Sequence, residues 1–383
     1  ACLVGSEMCI RDRSLDNLDK IIIKIGSSLI INEENAINDL FLDEISKDIL
    51  SLEKRGIKTL IVSSGAIELG KIDLNKSKNK LNLSESQAAS SIGQIKLINA
   101  WKIALKKFGL NAAQILITAE DTENRKRFLN ARSTIEELIE EKYIPVINEN
   151  DTVATSEIKY GDNDRLAARI AGMVSADCLI ILSNVDGLFD TNPSDINAKL
   201  IKNVKIIDDK IISMAEGANK LGRGGMITKL EAAKIATQSG CHMIISSGRI
   251  ENPILSALDG AQGTFFHSST KSLTALKSWI SGSIKPTGSI NIDTGANSAL
   301  KDGKSLLPAG IISIEGKFEK GDTLIVKAQE KEVARGLTNF NSIDLVKIIG
   351  KKSEEIEDIL GYLDRMEVIH RNNLYYSGNK DEQ

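Results

Sequence analysis

Histidine is nearly missing from this chain: there are three in 383 residues, His242, His267 and His370, and none has metal-ligand spacing. The four cysteines, Cys2, Cys9, Cys178 and Cys241, form no CxxC pair. With so few histidines beside them, they argue against a structural zinc site or a disulfide framework and suit a reducing cytoplasm. Cys178 and Cys241 stand in apolar strand-like contexts and read as small core residues. No apolar run reaches the roughly 18 to 20 residues that span a bilayer, so no membrane segment is expected. The net charge of -3 and a sequence pI near 5.9 give no sign of a nucleic-acid coat or a membrane-surface protein. The Walker A pattern GxxxxGK[ST] does not occur either. What remains is an ordinary globular composition, 42% hydrophobic and 26% charged, long enough for two or three domains.

Residues 1–14, ACLVGSEMCIRDRS, hold half the cysteines and show no periodicity. They are too short and too charged for a signal peptide and read as an extraneous or disordered leader. From Lys20 onward, strand-like runs alternate with helical ones: KIIIKIG, KTLIVSSGA, AAQILIT, YIPVINEN, CLIILSNVDGLF and CHMIISSG, each followed by an amphipathic stretch. Nearly continuous Ile/Leu/Val strands between helices imply a mostly parallel sheet covered on both faces. The expectation is a three-layer α/β/α domain over residues 15–265. A Ser/Thr/Gly-rich linker (266–284) leads to a small β-rich domain (285–368) carrying GSINIDTGA, AGIISIEG, GDTLIVKA and EVARGLT, and a polar, frayed tail (369–383) follows. The helical RFLNARSTIEELIEE stretch has an apolar stripe for either the core or a second subunit. Trp101 and Trp279 read as packing residues.

The most informative stretch is VINENDTVATSEIKYGDNDRLAA (146–168). Asn148, Glu149, Asn150 and Asp151 follow a strand and cannot be buried without partners. Open α/β sheets bind ligands beyond the carboxyl ends of their strands. In the second cluster, Gly161, Asp162, Asn163 and Asp164, either Asn163 or Asp164 could be a plain helix N-cap, but a cap explains one residue, not two clusters. The first strand ends in Lys24, Gly26, Ser27 and Ser28. Lys24 is there either a snorkelling edge lysine or a phosphate contact beside a glycine that lets backbone N–H groups approach. Ser64 and Gly65 make a small-residue turn into a helix, a natural anion site or simply a capped turn. Gly222, Gly224 and Gly225 precede a helix that carries Lys229. Three such turns, two lysines and an acidic loop at strand ends of one sheet together point to a phosphate-handling site.

The combination KIGSS, IVSSGAIELG, RFLNAR, VINEND with GDND, DGLF and GGMITKLEAA resembles the glutamate 5-kinases of the amino acid kinase family, over nearly the whole chain. The C-terminal part is similar to the PUA domain found in many of them. The resemblance implies ATP-dependent phosphorylation of the γ-carboxylate of L-glutamate, the first step of proline synthesis, with Mg2+ as the accompanying ion. Residue by residue it implies Lys24 and Lys229 as phosphate contacts and Asp164 as the residue orienting them. Ser64, Gly65, Asn148, Asp151 and Asn163 fall on the glutamate site. Gly26, Ser183, Asn184, Arg223, Gly224, Gly225, Met226, Ile227 and Thr228, with Lys24 and Lys229, fall on the ATP site. Ser183-Asn184 stands where the family more often has Thr-Asp, and Arg223 where it commonly has a small residue or threonine. The resemblance further implies L-proline as a feedback inhibitor and a homo-oligomer, a dimer or tetramer. The PUA-like part makes RNA a partner to be tested, and the bland charge weighs against strong binding. A carboxylate is already a nucleophile at neutral pH, so the scarcity of histidine is no objection.

Overall fold

Ile21, Ile22, Ile23 and Ile25 are all fully buried, so the first strand needs apolar residues on both of its faces rather than in alternation. In the computed structural model, which describes residues 18–76, 81–154, 162–217, 225–268, 286–362 and 365–377, this strand lies within the larger of two sheets. Its strands are β1 (Lys20–Ile25), β2 (Lys58–Ser63), β3 (Asn111–Ile117), β4 (Tyr143–Glu149), β5 (Cys178–Ser183), β6 (Asn203–Val204), β7 (His242–Ser247) and β8 (Thr264–Phe266). The order is β3-β4-β2-β1-β5-β7-β8-β6. All pairings are parallel except β7 with β8. β5, next to β1 in the middle, is buried at every position.

Local signals set the helices. Asn82 caps the helix Leu83–Lys107 in a reciprocal box with Glu85, which satisfies two of the orphan donors of its first turn. Asn38 caps Asp39–Glu53 through the Phe41 N–H. Asp48, buried in that helix, accepts from the N–H groups of Ile254 and Leu255 at 2.9 and 3.3 Å and so caps the helix Pro253–Leu258 from outside. The helices Ala66–Asp73 and Leu83–Lys107 cross backbone to backbone. A Cβ on Gly70 would overlap the Ala89 carbonyl, and one on Gly93 the Ala66 carbonyl. Trp101 fills the core beneath and donates to Ser63 Oγ at 2.9 Å, the polar partner a buried indole needs.

The chain divides into two units: residues 1–122 with 131–272, and residues 123–130 with 273–383. The second unit holds the five-stranded sheet β10-β9-β11-β12-β13, built from β9 (Gly288–Ile292), β10 (Ile311–Gly316), β11 (Thr323–Ala328), β12 (Lys331–Leu337) and β13 (Leu374–Tyr376). Its core includes Ile290, Leu324, Val326, Leu345 and Ile348. Two findings correct the sequence reading. The tail expected to fray from residue 369 instead adds β13 to the sheet edge, paired antiparallel with β12. Leu129, in the helix whose apolar stripe was expected to meet the core or a second subunit, packs with Leu337 of the second unit, and Arg125 donates to Thr323 Oγ1. Residues 1–14 and most of the expected linker lie outside the described residues. Among the described residues no helix is long and apolar enough to cross a membrane.

Candidate active site

Parallel pairing brings the strand ends into line. Lys24 stands beside Val62 on one side and Ile181 on the other. Val62 stands beside Ile147, and Ile181 beside Ile245. The segments that follow β1, β2, β4, β5 and β7 therefore leave the sheet along one edge, where open α/β sheets place their ligands.

At this edge three charges meet. Asp164, in the first turn of the helix Asp162–Met173, puts Oδ1 2.6 Å from Lys24 Nζ and Oδ2 2.9 Å from Lys229 Nζ. Only 6% of Lys24, 1% of Asp164 and 8% of Lys229 is exposed, so the pairs are screened little by water. Burial alone would push the Asp164 carboxyl up, but the two lysines outweigh it and hold the pKa below the usual range. Burial pushes the Lys24 ammonium down; Asp164 opposes that and Lys229 adds to it. Two cations against one carboxylate leave one buried positive charge, which favours an anion. The Thr228 hydroxyl donates to the Gly225 carbonyl at 3.2 Å and sits 3.5 Å from Asp164 Oδ2.

Beside the charges lies a neutral network. Asn163 Nδ2 donates to Ser64 Oγ at 2.9 Å and to Asn148 Oδ1 at 3.0 Å. Asn148 Oδ1 also accepts from the Glu149 N–H at 2.9 Å, and its Nδ2 donates to Gln94 Oε1 at 2.8 Å. Asn163 Oδ1 is buried and has no hydrogen-bond partner among the described residues. Asp151, buried just after β4, accepts from the Ser90 hydroxyl. The Ser64 turn is set by its own N–H, which donates to the Ile25 carbonyl at 3.1 Å. Gly65 follows at φ 111°, a conformation only glycine adopts freely.

The structure thus unites Lys24, Asp164 and Lys229, and separately Ser64, Asn148 and Asn163, with adjacent residues 163 and 164 joining the two groups. It treats the remaining expectations less evenly. The Gly26 N–H donates to the Leu182 carbonyl at 3.3 Å, because it extends the β1–β5 ladder. A Cβ there would meet only Leu182 O at 3.7 Å and Ser28 Oγ at 4.0 Å, so the open approach remains. Ser183 ends β5, buried, and its Oγ lies 3.3 Å from Oδ1 of the exposed Asn184. Gly225, Met226 and Ile227 begin the helix Gly225–Gln238, while Arg223 and Gly224 lie outside the described residues. Sequence reasoning missed Ser90 and Gln94. The available signal was a polar stripe at Gln87, Ser90, Ser91 and Gln94, one face of a helix. Gln87 Nε2 donates to the Ala154 carbonyl at 3.1 Å, and Ser91 Oγ lies 3.1 Å from Thr152 Oγ1.

Residues 19–247 match the model of the amino acid kinase family. The chain belongs to the amino acid kinase family. Its family relatives include a glutamate 5-kinase of Nitrobacter hamburgensis, 48% identical over 95% of this chain and 97% of the relative. A glutamate 5-kinase of Rhizobium johnstonii is 47% identical over 97% of each chain, and glutamate 5-kinase 1 of Rhizobium meliloti is 47% identical over 94% of this chain and 93% of the relative. Behind the amino acid kinase segment, residues 288–360 match the PUA domain. The two matches fall on the two sheets.

Proposed function

We propose that this chain transfers the γ-phosphoryl group of ATP to the γ-carboxylate of L-glutamate, releasing ADP and L-glutamyl 5-phosphate at the start of proline synthesis. The observation that carries the reading is the buried Lys24–Asp164–Lys229 group, with its single excess positive charge beside the hydrogen-bonded Asn148–Asn163 amides. A carboxylate oxygen of the substrate attacks the γ-phosphorus. The new P–O bond forms as the bond to the β,γ-bridging oxygen breaks, and the electron pair leaves on ADP. No proton has to move, so positioning and charge stabilisation are the whole task. Lys24 and Lys229 face the charge on the transferring group, and Asp164 pairs with both ammonium groups and holds them in place. Asp151 pairs with the substrate's α-ammonium, since a buried cation needs a counter-ion. The start of the helix Gly225–Gln238 and the end of β5 receive the nucleotide.

Magnesium belongs to this reading as the ion accompanying ATP. Among the described residues no three His, Cys, Asp or Glu side chains are placed to hold a metal, and both oxygens of Asp164 are engaged by lysines. The described donors therefore form no cage for it. Feedback by L-proline, assembly into a homo-oligomer and a cytoplasmic setting complete the proposal. RNA binding by the PUA domain would show as salt-sensitive retention in filter binding.

The test is ADP release with L-glutamate, L-aspartate, acetylglutamate or carbamate, with hydroxylamine present. Glutamate-dependent release with a trapped γ-hydroxamate is expected; a signal with another acceptor alone reassigns the substrate.

A further inference from the structure

The neutral network beside the lysines has a direction. The Glu149 backbone N–H can only donate, so the Asn148 side chain must turn Oδ1 toward it. That oxygen also takes the Asn163 Nδ2, which leaves Asn163 Oδ1 as a buried acceptor without a partner among the described residues. At the other end, Asn148 Nδ2 needs an acceptor, and Gln94 Oε1 supplies it at 2.8 Å. Gln94 projects from the helix Leu83–Lys107, the same helix whose Ser90 holds Asp151. A buried acceptor left unpaired is costly, and a ligand bringing an N–H donor removes that cost.

We infer that Gln94 is a positioning residue for the amino group of the substrate: it anchors Asn148, and through it Asn163, in the amide orientation that offers Asn163 Oδ1 to the ligand's ammonium. This rests on the proposed glutamate kinase reading. An ammonium has three donors, enough for the Asp151 carboxylate and an amide oxygen together. Gln94 acts through two other side chains and does not meet the reacting atoms. Its removal therefore acts on amino-acid recognition and leaves ATP binding alone.

The experiment compares L-glutamate with glutarate, which keeps the reacting carboxylate and lacks the amine, in the full-length wild type, Gln94→Met and Gln94→Glu. In Gln94→Met, the wild-type preference in kcat/KM for glutamate over glutarate falls by about tenfold or more, the scale of one unsatisfied buried group. The KM for ATP stays at the wild-type value. In Gln94→Glu, which retains an acceptor for Asn148, the preference stays within about threefold of wild type, because the hydrogen bond is kept. A Gln94→Met enzyme with normal ATP affinity and an unchanged preference overturns the inference, as does an equal loss in both variants. Should Gln94→Met fail to fold, Gln94→Leu takes its place under the same criteria. A wild type without glutamate-dependent ADP release would instead bring down the functional reading itself.

Discussion

Two polar groups, one buried and one largely half-buried, stand side by side at one edge of the large sheet, and they are stabilised in opposite ways. The Lys24–Asp164–Lys229 group consists of full charges with an unbalanced positive remainder. The Ser64–Asn163–Asn148–Gln94 group carries no charge and is joined by hydrogen bonds of 2.8 to 3.0 Å. The difference teaches a division of labour. Charge has long reach and suits a transferring phosphoryl group whose charge is redistributed during reaction. Neutral amides have short reach and fixed donor and acceptor ends, which suits the reading of one particular ligand.

The comparison breaks most visibly at Asp164. Asp164→Asn leaves two buried ammonium groups without their counter-ion; urea unfolding should show a loss of about 3–5 kcal/mol, with turnover falling as well. The sign with pH follows from its lowered pKa. Asp164 contributes stability that is complete above the ordinary carboxylate value and is lost as pH falls through the lower, folded value. The variant should lack that acid-side loss. Next in size, Lys24→Ala or Lys229→Ala should lower kcat by about 10²–10³, as for other groups that stabilise transition-state charge, with little change in the KM for glutamate. A wild-type kcat in either variant removes that lysine from the mechanism.

The neutral side should respond differently. Ser64→Ala removes one acceptor from Asn163 and should raise the KM for glutamate about fivefold, matching a hydrogen bond worth about 1 kcal/mol, while steady-state kcat holds. If kcat falls instead and KM does not, the two groups are not separate in function. The smallest effect is in the pH profile. Lys24 should lose its proton below the roughly 10.4 of a free lysine, because burial lowers its pKa. The alkaline limb of kcat/KM for ATP should therefore begin below that value in wild type and move in Lys24→Arg.

Much of this was legible in the sequence wherever a strand and the residues just after it carry the information. KIGSS, VINEND and the helix holding Lys229 are local patterns, and parallel topology alone aligns their ends. Gln94 and Ser90 were hidden because their partners, Asn148 and Asp151, lie 54 and 61 positions away, and a polar residue on a long helix reads first as solvent-facing. β13 escaped notice because three residues at a sheet edge are too few to show alternation inside a polar tail. The Gly26 N–H bond to β5 was not visible in the sequence because a strand's last ladder bond depends on a neighbour that lies far along the chain.

The crossing at Gly70 and Gly93 sets the mechanical character of the neutral half. One of the crossing helices begins at the Ser64–Gly65 turn, and the other carries Ser90 and Gln94. With main chain against main chain at both glycines, the turn and the polar stripe form a single solid wall. One added carbon at the crossing would wedge that wall apart, so substrate preference can change here by exchanging the side chains that line it, while its spacing is held by two residues that have no side chain at all.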